Sequence, residues 1–136
     1  MRKAQRRDFV APPEVEPNVS DIIRWGFVGT SGVAESMARA INRSDQQRLV
    51  SVTSGQRLNA EKFASMFGAK VASNVDALAG DPDVRCVYIA SPTSNHEEHA
   101  LKVLAAGKAV LIEKPFTVDA VSAERVIQKA RENGLL

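Results

Sequence analysis

The stretch Arg24–Ile41, RWGFVGTSGVAESMARAI, constrains this chain most. A short apolar run gives way, through a glycine turn, to Val33, Met37, Ala40 and Ile41 at helical spacing. A strand, a tight turn and a helix in that order open a βαβ unit, and the turn is where such a unit receives an anion. Set against the dinucleotide spacing G-x-G-x-x-G/A, the turn reads Gly29, Ser31, Ala34, with serine in place of the second glycine. Gly29 serves the tight turn, Ala34 lets the helix pack close to the sheet, and Gly32 supplies left-handed or bridging freedom that Ser31 removes. The Ser31 hydroxyl either crowds a phosphate or donates a hydrogen bond to it. Thr30, Ser31, Gly32 and Val33 are therefore expected around an anion held by the N–H groups that open the helix.

The same alternation continues along the chain. RLVSVTS reads as a second strand, LNAEKFASMFG as a helix with Phe63, Met66 and Phe67 on one face and Gly68 closing it, and AKVA as a short third strand. Ser73 caps a short helix, and VRCVYIA, the strongest β-branched apolar run, is the fourth strand. A helix from His96 to about Ala106, a fifth strand KAVLIE and a helix from Val118 to Asn133 complete the pattern. The spacing predicts an α/β fold of Rossmann type, a doubly wound parallel sheet of order 3-2-1-4-5. Ligands bind such a sheet outside the carboxyl ends of its strands, between strands 1 and 4.

Composition narrows the class. Among 136 residues, 44% are apolar and 25% charged, enough for one globular domain with an ordinary core. The net charge of +2 includes the cluster Arg2, Lys3, Arg6 and Arg7, so the remainder offers no broad footprint for nucleic acid. The single cysteine, Cys86, excludes an internal disulfide framework and agrees with a reducing, cytoplasmic setting. No apolar run approaches the ~20 residues of a membrane span. Residues 1–20, rich in proline and mixed charge, read as a flexible arm ahead of a domain spanning 21–136.

Two further motifs carry a family likeness. AGKAVLIEKPF, ending at Phe116, and IASPTSNHEEHALKVL, starting at Ile89, follow the glycine turn in order. Together the three resemble the N-terminal domain of the glucose-fructose oxidoreductase / inositol dehydrogenase / MocA family of NAD(P)-dependent oxidoreductases, over Ile23 to Leu136. The glycine-turn segment looks closest to the branch holding dihydrodiol and xylose dehydrogenases. The likeness implies hydride transfer between a nicotinamide cofactor and a hydroxyl or carbonyl substrate of sugar or polyol type. It also implies a sixth strand and a C-terminal substrate domain, which this sequence does not include. The fragment alone is then expected to bind cofactor and to be inactive; a non-catalytic dinucleotide-binding module is the other reading.

The resemblance assigns roles residue by residue. Lys114 is the substrate-binding and catalytic lysine, with partial burial and a cationic nicotinamide lowering its pKa, and Glu113 shapes the turn before it. Ser91, Pro92 and Thr93 line the nicotinamide ribose side, and His96 meets the cofactor or locks its loop. After strand 2 there is no carboxylate before Glu61; Ser54 and Arg57 suit a 2′-phosphate, which favours NADP over NAD. His99 reads as a helix-surface residue. No metal is expected from His-x-x-His spacing alone. Exposed sheet and cleft surface leave room for a homo-oligomer.

Overall fold

The structure is a computed structural model that describes residues 21–136; the arm expected over residues 1–20 lies outside the described residues. Strands β1 (Ile23–Val28), β2 (Gln47–Thr53), β3 (Lys70–Val71), β4 (Cys86–Ile89) and β5 (Ala109–Ile112) form one parallel sheet of order β3-β2-β1-β4-β5. Between them run α1 (Gly32–Asn42), α2 (Arg57–Phe67), α3 (Val75–Ala79) and α4 (His96–Ala105), and α5 (Ala120–Glu132) follows β5. This is the Rossmann-like order expected, with β1 and β4 as adjacent strands whose connections leave in opposite directions.

Alternation along the strands explains the two layers of core. Phe27 and Tyr88 point to one face, where they pack with Ala34, Ala38, Ile41, Val52 and Phe63 from α1, β2 and α2. Val28, Val87 and Ile89 point to the other and meet Leu78, Val103, Leu104 and Val126 from α3, α4 and α5. Burying each such side chain contributes about 1.5–3 kcal/mol, so both faces of β1 and β4 must stay covered. The Phe27 ring meets Tyr88 edge-on at 5.0 Å between centroids and lies 6.2 Å from that of Phe63.

Several local expectations shift. The buried stripe of α1 is Ala34, Ala38 and Ile41, while Val33 and Ala40 are exposed, because small residues let the helix sit close to the sheet. On α2 the buried residues are Ala60, Phe63 and Ala64, and Met66 faces outward. Asn74, not Ser73, caps α3, its side chain accepting from the Ala77 N–H at 2.8 Å. Val118 precedes α5, whose first turn is set by a capping box between Asp119 and Ser122.

Candidate functional site

At the carboxyl end of β1 the chain turns under tight constraint. Gly29 has φ +106°, donates its N–H to Thr53 O at 2.9 Å, and lies so near β4 that a Cβ there would sit 2.6 Å from the Ala90 carbonyl. Only glycine combines that φ with that approach. Gly32 behaves differently from the sequence expectation: it is the first residue of α1, without positive φ, and a Cβ on it would meet nothing within 4 Å. The turn needs one left-handed glycine, and Gly29 supplies it. Ser31 is the N-cap, its Oγ accepting from Ala34 N–H at 3.3 Å. That leaves the N–H groups of Gly32 and Val33, which have no preceding turn of helix to bond, at the mouth of the site.

Around this turn a cleft of about 610 Å³ opens at the ends of β1, β2 and β4. It brings together Gly29, Thr30, Ser31, Ser54, Ser91 and Pro92 from the predicted site. Thr30 and Ser54 stand 3.5 Å apart, hydroxyl to hydroxyl, joining the loops after β1 and β2. Gly32, Val33, Arg57, Thr93, His96, Glu113 and Lys114 do not line it. Arg57 opens α2, exposed, with its Nε 2.8 Å from Glu61 Oε1.

His96 is 1% exposed and sits behind the loops. Its Nε2 lies 2.7 Å from Ser91 O, and its Nδ1 lies 3.0 Å from Pro115 O and 3.1 Å from Phe116 O. One ring thus ties the loop after β4 to the loop after β5. Glu113 accepts from the buried Tyr88 hydroxyl at 2.5 Å and from the Lys114 N–H at 3.1 Å. Those two donors, Tyr88 first, hold the Glu113 carboxyl below the usual range, while burial and then Glu113 push the Tyr88 phenol up. Lys114 itself is exposed, which corrects the partial burial expected for it. It follows the edge strand β5.

The cleft also holds a residue that the sequence reading set aside. His99 is half-buried, lines the cleft and has Nδ1 2.9 Å from Ser91 Oγ. Its place three residues after the buried His96 and four before the buried Val103 is the helical spacing that signals an inward neighbour. Burial is the first cause that lowers its pKa; Lys102 and His96 act the same way and Glu98 opposes them. Lys102 carries α4's side of the rim, 3.0 Å from Glu98 and 3.5 Å from Asp76 at the start of α3.

These features fit a dinucleotide. A pyrophosphate needs free N–H donors and an open approach, and the α1 N-terminus offers both where a Cβ at Gly32 or Gly55 would meet only open space. Residues 23–136 match the family profile described as oxidoreductase family, NAD-binding Rossmann fold, named after glucose-fructose oxidoreductase, inositol dehydrogenase and MocA. The chain belongs to this family. Its relatives include a mouse trans-1,2-dihydrobenzene-1,2-diol dehydrogenase, 35% identical over 116 residues, covering 83% of this chain and 35% of the relative. A D-xylose 1-dehydrogenase (NADP(+)) of Hypocrea jecorina is 35% identical over 126 residues, covering 83% of this chain and 32% of the relative. A 3-ketoreductase of Actinomadura kijaniata, solved with NADP and TDP-benzene, superposes with TM-score 0.79 at 35% identity, covering 85% of this chain and 36% of that one. The chain thus spans about a third of the length of the family members it matches. Among the described residues no helix is long and apolar enough to cross a membrane, and no cluster of three or more His, Cys, Asp or Glu is placed to hold a metal ion.

Proposed function

We propose that residues 21–136 are the cofactor domain of a nicotinamide-dependent oxidoreductase acting on a hydroxyl or carbonyl group of a sugar or polyol. The observation that carries this reading is the turn at Gly29: one left-handed glycine pressed against β4, opening into free helix N–H groups at the β1/β4 switch point. The relatives are dehydrogenases and reductases, which favours an enzyme over a non-catalytic binding module. When bound, the nicotinamide supplies the hydride acceptor or donor.

The chain's own residues do the rest. Gly32 and Val33 hold the pyrophosphate through their N–H groups. Ser91, Pro92 and Thr93 flank the nicotinamide ribose. Lys114 hydrogen-bonds the substrate oxygen and exchanges its proton, and Glu113, fixed by Tyr88, sets the turn from which Lys114 projects. The walls that exclude water above Lys114 come, in this reading, from a further domain such as the longer relatives have room for.

NADP is the preferred cofactor. Ser54 and Arg57 flank the end of β2, where the adenosine ribose of a doubly wound fold lies. Arg57 now pairs with Glu61, but an exposed i,i+4 pair is worth only a few tenths of a kcal/mol. A charge-assisted bond to phosphate is worth about 1.5–3 kcal/mol, so the guanidinium would turn to a 2′-phosphate. Calorimetry of the full chain should show NADPH binding tighter than NADH. Arg57→Ala should weaken NADPH about tenfold and leave NADH unchanged, and Lys114→Ala should change neither affinity appreciably. Equal losses for both cofactors would remove the preference; no binding of either at millimolar concentration would sink the cofactor-domain reading.

A further inference from the structure

We propose that His99, held by Ser91, is the side chain that hydrogen-bonds the adenine base, an inference that rests on the dinucleotide reading above. The argument is positional first. In a doubly wound sheet the adenosine ribose lies at the end of the second strand, here Thr53 and Ser54. From there the cleft runs away from β5 and Lys114, toward the start of α3 at Asn74 and Val75 and along α4 at His99 and Lys102. What lies beyond the ribose on that wall is the base, which there meets the apolar Val75 beside the polar Asn74, His99 and Lys102.

The chemistry of the wall singles out His99. Lys102 is engaged by Glu98 and Asp76, a bridge that also ties α4 to α3. The Asn74 side-chain oxygen, Oδ1, is spent on Ala77 N–H. His99 spends only Nδ1, on Ser91 Oγ at 2.9 Å, and its Nε2 has no protein partner among the described residues and is not fully enclosed. One nitrogen held by a hydroxyl fixes the plane of the ring, so the other presents a hydrogen-bonding edge in a set direction at little entropic cost. A half-buried ring whose charged form is disfavoured by burial suits an uncharged base better than a phosphate. Ser91 therefore meets α4 at two points: its carbonyl meets His96 and its hydroxyl orients His99.

The test compares two mononucleotides that share a ribose 5′-phosphate and differ in base, AMP and nicotinamide mononucleotide. With the full chain labelled at histidine nitrogens, AMP should shift the His99 ring signals and displace NADPH, and nicotinamide mononucleotide should leave those signals in place. His99→Ala should bind AMP and NADPH about tenfold more weakly. The wild-type ring signals require no variant, so a folding defect in His99→Ala would not blunt the test. AMP binding with the His99 signals unmoved, or with unchanged affinity in a folded His99→Ala chain, overturns the assignment while leaving the dinucleotide reading intact. Failure of AMP, NADPH and NADH alike to bind the wild-type chain overturns both.

Discussion

At the scale of single residues, the two glycines of the first turn separate conformation from space. A Cβ on Gly29 meets Ala90 C and O at 2.6 Å and Ser91 N at 2.8 Å, all backbone, at φ +106°. Gly29→Ala therefore combines a strained φ with a collision that no side-chain movement relieves, and should cost about 2–4 kcal/mol, read as a lowered denaturation midpoint. Gly32→Ala places its methyl in open space on helical backbone and should leave the midpoint unchanged or slightly raised. Equal losses at both positions would show that the turn is not built around Gly29. Sequence made Gly29 legible because its turn follows an apolar run directly. It misassigned the freedom of Gly32, because the fingerprint counts glycines without saying which one bends. His99 was missed for a related reason: a histidine beside two glutamates reads as a solvated face, and only the fold brings Ser91 Oγ to its ring.

Among the elements, helix starts show how local signals decide boundaries. The α5 box has Ser122 N–H donating to Asp119 Oδ1 at 2.8 Å, and Asp119 N–H donating to Ser122 Oγ at 3.4 Å. Ser122 is 1% exposed, so its hydroxyl is shielded from water as well as bonded. Ser122→Ala removes one bond of the box at a cost of about 1 kcal/mol, offset by a few tenths from alanine's better helix propensity. The net loss, about 0.5–1 kcal/mol, should appear in urea denaturation against an unchanged Glu124→Ala control. A box that gave no loss would mean that α5 is held by its packing through Val126 and its Arg125–Glu97 pair rather than by its cap. The strands and their order were legible because parallel strands read as continuous apolar runs, CVYI in the buried β4 and AVLI in the edge strand β5 among them. Helix ends were less so: Ser73 and Asn74 are both good caps, and the choice between them depends on which one reaches Ala77 N–H.

Across the whole molecule, the shifted groups set a stability window in pH. Asp81, Glu97, Glu98, Glu113 and Asp119 are all held below their ordinary values of 3.8 or 4.5, by Lys70, Arg125, Lys102, Tyr88 and Ser122 respectively as first cause. A lowered carboxylate stabilises the fold above its ordinary value, and that contribution is lost as pH falls toward the folded one. His99, lowered from 6.5 by burial, acts in the same sense but earlier, losing its contribution as pH falls below 6.5. On the alkaline side the fold favours the neutral forms of Cys86, raised from 9.0 to about 11 by burial, and of Tyr88, raised from 10.0. The unfolded chain releases those protons first, so stability drops as pH climbs past 9. Thermal denaturation followed by circular dichroism should therefore give a Tm plateau between about pH 7 and 8.5, a shallow fall below it, a steep one under about 4.5 and a decline above about 9. Tyr88→Phe removes both the phenol and the donor that holds Glu113 low, so it should flatten the alkaline limb and Glu113's share of the acid limb. A Tm that rose as pH dropped through 4.5 would show that these carboxylates gain nothing from their partners in the folded chain.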